Sequence, residues 1–99
     1  YQSVSGAGKE GMDELFTQTR AVFVADPVES KKFTKRIAFN VIPHIDAFQE
    51  NGYTREEMKV VWETHKIFGD DTIRISATAV RVPTLRAHAE AVSVEFAAL

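Results

Sequence analysis

Two residues in the last quarter of the chain carry the strongest chemical signal. From Ile73 the apolar pattern has period two, with Ile73, Ile75, Ala77 and Ala79 on one side of an extended segment and Arg74, Ser76 and Thr78 on the other. The same count puts Arg81 on the apolar side, where a lone guanidinium costs several kcal/mol to desolvate and therefore needs an anion. A structural ion pair could meet it, a bend at Val80 could turn it outward, or its planar fork could await a ligand carboxylate. His88 lies seven residues further on and shares parity with Val92 and Val94. An inward imidazole there is either a packed ring or, beside a carboxylate clamp, a general acid/base.

Other motifs compete for attention. Glu63 and Lys66, three apart, share adjacent helix surface, and spacing alone reads them as a solvated ion pair. Gly6-Ala7-Gly8-Lys9-Glu10-Gly11 satisfies G-x-G-x-x-G, and Asp26 follows twenty residues after Gly6. The alternative function is therefore a small nucleotide-binding βαβ module using the Gly6, Gly8 and Gly11 loop. Tyr1 to Ser5 is too polar for the buried parallel strand such a module needs. A helix and a second strand would also have to fit between Gly11 and Asp26 without a turn. Glu10 stands where a phosphate-binding loop needs Ser or Thr. His44, His65 and His88 are 21 and 23 residues apart, a spacing that predicts no metal site.

The elements that would position these residues can be read from the pattern. Met12, Leu15, Phe16, Thr19, Val22 and Phe23 predict one helix face, closed by Asp26-Pro27. Glu29 to Arg36 reads as a basic, solvated connector, and Ile37 to Pro43 as an edge strand or extended segment ended by proline. After an Asn51-Gly52 turn, Thr54 and Glu57 form a capping box for a second helix that Gly69 ends. Its apolar face would carry Met58, Val61, Trp62, Phe68 and a packed His65. Strands are expected from Ile73 and over Ala91 to Phe96, joined through Val82 to Ala87. The resulting class is α+β, a two-layer sandwich of helices on one face of a mixed, partly antiparallel sheet.

Composition narrows the function. The 99 residues are 44% hydrophobic and 26% charged with a formal net charge of -2, which describes a soluble globular protein. Twelve basic and fourteen acidic residues are interspersed, which argues against a nucleic-acid-binding field. No apolar run is long enough for a membrane span, and none resembles a signal peptide. There is no cysteine, so within this chain there is neither a disulfide nor a thiolate nucleophile.

Four segments together resemble one enzyme family. Tyr1-Gln2-Ser3-Val4-Ser5-Gly6-Ala7-Gly8 is similar to the S-T-Y-Q-x-V-S-G-A-G motif of aspartate-semialdehyde dehydrogenases. Ile37-Ala38-Phe39-Asn40-Val41-Ile42-Pro43 resembles their I-A-F-N-x-I-P, and Trp62-Glu63-Thr64-His65-Lys66-Ile67 their N-E-T-x-K-I helix. Ser76 to Pro83, running on to His88, resembles their S-A-T-C-V-R-V-P…H, with Ala79 at the cysteine position. The matches follow family order over nearly the whole chain.

The resemblance implies part of a cytoplasmic NADP-dependent enzyme that converts L-aspartyl 4-phosphate to L-aspartate 4-semialdehyde and phosphate, toward lysine, threonine and methionine. It further implies that Gln2 positions the acyl intermediate and that Ser5 and Gly6 lie at the nicotinamide end of the cofactor. Glu63 would meet the substrate amine, Lys66 the phosphate and Arg81 the substrate carboxylate, with His88 as acid/base. The fold implied is part of a catalytic and dimerisation domain like that of glyceraldehyde-3-phosphate dehydrogenase, forming a homodimer. Residues 1–99 would all belong to that domain. The nucleophilic cysteine and the Rossmann domain are expected upstream of Tyr1, so that the chain by itself is inert.

Overall fold

The computed structural model describes residues 1–98. Tyr1 to Ser3 run extended, Val4–Ala7 make one 3₁₀ turn, and helix α1 (Gly8–Phe23) follows directly. Gly8 joins turn to helix at φ 78°, where an L side chain is strained. A Cβ on Gly11 would lie 2.7 Å from the Val4 carbonyl and 2.8 Å from the Ala7 methyl, so this glycine lets α1 start tight against the turn. No strand precedes Gly6, and α1 runs unbroken to Phe23. The βαβ reading of Gly6, Gly8 and Gly11 is therefore corrected: Gly6 and Gly11 serve close packing and Gly8 the left-handed backbone at the join.

Helix α1 buries Gly11, Leu15, Gln18 and Ala21, a stripe rotated from the expected one. Phe16 and Phe23 are largely exposed, and the Phe23 ring meets that of Phe39 edge-on. The helix ends before Pro27 as expected, with Ala25 at φ 57° and the Asp26 N–H on the Ala21 carbonyl at 2.9 Å.

The rotation has a polar cause. The Glu14 carboxylate accepts the N–H groups of Lys31, Lys32 and Phe33 at 2.7, 2.8 and 3.0 Å. One turn on, the fully buried Gln18 accepts from the Ile37 and Ala38 N–H groups at 2.8 and 3.1 Å and donates to the Glu29 carbonyl at 2.9 Å. The basic connector is thus an organised loop fastened to α1. Of the edge strand or extended segment expected over Ile37 to Pro43, no strand forms. The segment's first donors go to Gln18, Phe39 turns the chain at φ 58°, and Ile42 alone makes a β-pairing. Val4, Leu15, Ile37, Ala38 and Ile42 are the core, with Met12 and Phe33 packed on it.

Helix α2 (Arg55–Phe68) has the ends its sequence specifies. The Thr54 hydroxyl accepts from the Glu57 N–H, the Glu57 carboxylate accepts from the Thr54 N–H, and Gly69 closes the helix at φ 66°. The Asn51-Gly52 turn is present, with Gly52 at φ 85°. Glu57 does a second job: its other oxygen accepts the Ala79 N–H at 3.0 Å and ties the segment that leads to Arg81 onto α2. Burial pushes the Glu57 carboxyl up, but the Thr54 and Ala79 donors outweigh it and hold the group below its ordinary value.

From Ile75 the burial alternates as the sequence predicts. Ala79 and Arg81 are buried and Ile75 and Ala77 half-buried, while Arg74, Ser76 and Thr78 are exposed. Ile73 itself is exposed. Yet this segment forms no ladder, and neither does Ala91 to Phe96, whose Val92, Val94 and Phe96 are 74%, 62% and 71% exposed. The expected two-layer sandwich on a sheet is therefore not assembled by residues 1–98, which hold two helices and four single-residue β-pairings. The extended segments show unpaired edges because no partner strand lies beside them. Helix α2 does not pack on α1, and Trp62 and Phe68 on its expected apolar face are exposed. The radius of gyration is 16.5 Å, where a compact domain of this size has about 13 Å.

Candidate functional site

Three of the four single-residue pairings stack into one row. Ile42 and Arg81 exchange N–H···O bonds at 3.0 and 2.8 Å. On the other side of Arg81, the Gln2 N–H reaches the Val80 carbonyl at 2.8 Å and the Val82 N–H returns to Gln2 at 2.9 Å. Beyond Gln2 comes His88, framed by Ser3 N–H to Ala87 O at 3.2 Å and Ala89 N–H to Tyr1 O at 3.0 Å. The order across the row is Ile42, Arg81, Gln2, His88. Adjacent strands lie about 4.8 Å apart, so the Arg81 and His88 backbones flank Gln2 at about 10 Å from each other. Ala87, which delivers His88, sits at φ 82°, a strained position for a residue with a Cβ.

Arg81 is 8% exposed. Its Nη1 donates to the Ser3 carbonyl at 2.8 Å, and its guanidinium carbon lies 5.8 Å from the centre of the Phe33 ring. A Cβ on Gly6 would come within 2.8 Å of Nη1, so Gly6 is the residue that admits the guanidinium. Burial lowers the Arg81 pKa, and the nearby Glu56 carboxylate opposes that shift. Among the described residues no carboxylate forms a salt bridge with it. Of the sequence alternatives, the outward bend is thus not made, and no structural ion pair to Arg81 forms among the described residues. The Nη1 contact to Ser3 uses only part of the donor capacity of the guanidinium. Ser5 and Gly6 stand beside it; the Ser5 hydroxyl is 3.0 Å from that of Ser3, and the Ser5 N–H bonds the Leu85 carbonyl.

Gln2 links this row to α2. Its Nε2 donates to Glu56 Oε1 at 2.8 Å, and the other oxygen of Glu56 meets Lys59 Nζ at 3.5 Å. Glu56, Lys59, Glu63 and Lys66 recur at helical spacing and so form one polar stripe along α2. Glu63 and Lys66 stand about 10 and 15 Å along the axis from the Gln2 contact. Both are exposed, and the ion pair that their spacing suggested is absent among the described residues. His65 is half-buried, with Nε2 2.8 Å from the Ile73 carbonyl. His88 is exposed.

The structure therefore brings Gln2, Ser5, Gly6, Arg81 and the His88 backbone together. Glu63 and Lys66 stay on the same helix face as Gln2's partner without touching the row. Sequence reasoning missed Glu56, whose signal was its place in the stripe. It also missed Phe33, which Glu14 seats beside Arg81 through a backbone bond. A cleft of about 480 Å³ lies elsewhere, between α1 and Pro27 to Lys32, and is lined by Glu14 but by none of Gln2, Ser5, Gly6, Glu56, Arg81 and His88. The row thus holds a buried guanidinium at Arg81, the Gln2 amide bonded to Glu56 and the His88 backbone, with Glu63 and Lys66 farther along the α2 stripe.

A family model described as semialdehyde dehydrogenase, dimerisation domain, matches residues 1–99. Aspartate-semialdehyde dehydrogenase of Shewanella violacea is 59% identical over 95 residues, which are 96% of this chain and 28% of the relative. Aspartate-semialdehyde dehydrogenase 2 of Vibrio cholerae is also 59% identical over 95 residues, with the same two shares. Among solved structures, that of aspartate semialdehyde dehydrogenase II from Vibrio cholerae complexed with ASA superposes with a TM-score of 0.84 at 58% identity, over 86% of this chain and 25% of that one. A probable aspartate-semialdehyde dehydrogenase from Pseudomonas aeruginosa gives 0.77 at 30% identity, over 85% and 25%. The chain spans 28% of the length of these two curated relatives.

Proposed function

This chain belongs to the semialdehyde dehydrogenase dimerisation-domain family, and from that premise we propose that it supplies the substrate clamp and the subunit contact of an aspartate-semialdehyde dehydrogenase. The observation that carries the reading is the buried Arg81 fork, whose backbone lies in one row with Gln2 and His88 and which forms no salt bridge among the described residues. The reaction is the reversible conversion of L-aspartyl 4-phosphate to L-aspartate 4-semialdehyde and phosphate, in the cytoplasm, on the route to lysine, threonine and methionine. Residues 1–99 belong to its catalytic and dimerisation domain, and the cysteine nucleophile comes from outside them.

Each role follows from charge and place. Arg81 takes the α-carboxylate through its remaining N–H groups, where the buried setting strengthens a charge-assisted pair. Gln2, held by its NH₂ on Glu56, orients the acyl carbon between the fork and His88. His88 moves the proton at the carbonyl oxygen, work that imidazole does near neutral pH. Glu63 meets the substrate ammonium and Lys66 the phosphate, two ions with no salt bridge of their own among the described residues.

Around the glycine loop the space above Gly11 is filled by backbone and that above Gly6 by Arg81, while that above Gly8 is open. NADP is the form we propose, held by the rest of the enzyme with Ser5 and Gly6 bordering its nicotinamide end. The sheet of the full domain would be completed by strands from outside residues 1–99 and by a second subunit. These would cover Trp62, Ile67, Phe68, Val92, Val94 and Phe96, all exposed here.

The test uses the full-length enzyme in the phosphate-dependent direction. His88→Asn is expected to lower kcat by roughly 10²–10⁴ with KM for the semialdehyde nearly unchanged. Lys66→Ala is expected to raise KM for phosphate more than KM for the semialdehyde, and Glu63→Gln the reverse. Near-normal turnover of His88→Asn would remove the acid/base assignment.

A further inference from the structure

The Gln2–Glu56 contact fixes something that neither residue could fix alone. A carboxylate only accepts hydrogen bonds, so the 2.8 Å contact from Gln2 Nε2 to Glu56 Oε1 permits one orientation of the amide. The NH₂ must face α2, and the carbonyl oxygen must face away from it. Glu56 is itself held: it sits in the first turn of a helix whose start is locked by the Thr54–Glu57 capping box, and Lys59 Nζ meets its second oxygen at 3.5 Å. Backbone pairing fixes Gln2 between Arg81 and His88. Main chain and side chain of Gln2 are thus set by two different elements.

We propose that Glu56 is the positioning residue of this site, holding the Gln2 amide in a single orientation so that its carbonyl oxygen and remaining N–H face the substrate between Arg81 and His88. The proposal rests on the substrate-clamp reading above. A second consequence separates Glu56 from a merely structural group. Its negative charge acts on Arg81, favouring the charged guanidinium while competing with any anion that approaches the fork. Removing the charge frees the fork for carboxylate while releasing the amide. Turnover and affinity should then move in opposite senses.

Glu56→Gln and Glu56→Asp in the full-length enzyme test this, with melting temperature and subunit state measured alongside. Glu56→Gln can pair with either end of the Gln2 amide. It is expected to lower kcat about tenfold to a hundredfold, the cost of a misplaced group, while KM for aspartate semialdehyde holds or falls. Glu56→Asp keeps the charge on a shorter arm; it is expected to lower kcat comparably with KM unchanged. A kcat within twofold of wild type in both variants would overturn the proposal, as would a KM that rises in Glu56→Gln in step with lost thermal stability. Should Glu56→Gln fail to fold, Glu56→Asp alone decides on kcat. If the wild-type enzyme does not turn over aspartate semialdehyde at all, it is the substrate-clamp reading that fails, a result distinguishable from wild-type turnover that is indifferent to Glu56.

Discussion

Gly6→Ala tests how Arg81 is held more cleanly than a change at Arg81 itself. The backbone at Gly6 is not in the left-handed region, so an alanine there meets only the contact problem. Its Cβ would lie 2.8 Å from Nη1, whereas ordinary contact begins at 3.4 Å, so the guanidinium must retreat by roughly 0.6 Å. It cannot do so freely, because Nη1 is bonded at 2.8 Å to the Ser3 carbonyl and the Phe33 ring lies beside it. Losing one well-aligned bond to a charged group costs about 1.5–3 kcal/mol, which is roughly a 10- to 100-fold rise in KM for aspartate semialdehyde. The assay is steady-state kinetics of the full-length enzyme at saturating phosphate and dinucleotide, run as a double-mutant cycle with Arg81→Lys. Lysine has no Nη1 to displace, so Gly6→Ala should cost little in that background, with a coupling above about 1 kcal/mol. Additivity within about 0.5 kcal/mol would refute the reasoning, since it would mean that Gly6 acts on something other than the fork.

Three further outcomes are expected. Gln18→Ala strips the acceptor from the buried Ile37 and Ala38 N–H groups; at about 1–3 kcal/mol for each orphaned donor, a loss of about 2–5 kcal/mol should appear as a lower urea midpoint, and a loss under about 1 kcal/mol would contradict the clamp. Because the Glu57 carboxyl is held below its ordinary value of 4.5 in the fold, its contribution is fully present above that value and fades as pH falls through the folded-state value. Amide exchange at Ala79 should accelerate over that acid range, and Glu57→Gln should abolish this pH dependence. Ala87→Val forces a β-branched residue to φ 82° and should lower the melting temperature, while Ala87→Gly should hold or raise it.

How far the sequence could reach depended on how local each signal was. The ends of α2 were legible because Thr54, Glu57 and Gly69 act within a few residues of each other. The inward parity of Arg81 was legible because side-chain alternation is a property of the extended chain, whether or not a neighbour pairs with it. The row of Gln2, Arg81 and His88 was not, since it joins segments about eighty positions apart. Resemblance to a family supplied the roles, while period counting supplied only the direction of Arg81. The face of α1 was misplaced because an apolar count passes over Glu14 and Gln18. These two polar residues hold the backbone donors of a loop whose own sequence shows only charge. The strands were overestimated for the complementary reason: Val92, Val94 and Phe96 have the pattern of a half-buried strand, and the surface that would bury them is not in residues 1–98.

The most direct measurement compares two aldehydes. Aspartate semialdehyde without its α-carboxylate is 3-aminopropanal, and the ratio of kcat/KM between the two reads what the carboxylate contributes. With Arg81 as the fork, the wild-type enzyme should favour the carboxylated aldehyde strongly, and Arg81→Lys should lose most of that preference while handling 3-aminopropanal much as the wild type does. An unchanged ratio in Arg81→Lys would mean that the carboxylate is bound elsewhere, and that the buried guanidinium serves only to hold Ser3 and the 3₁₀ turn behind it.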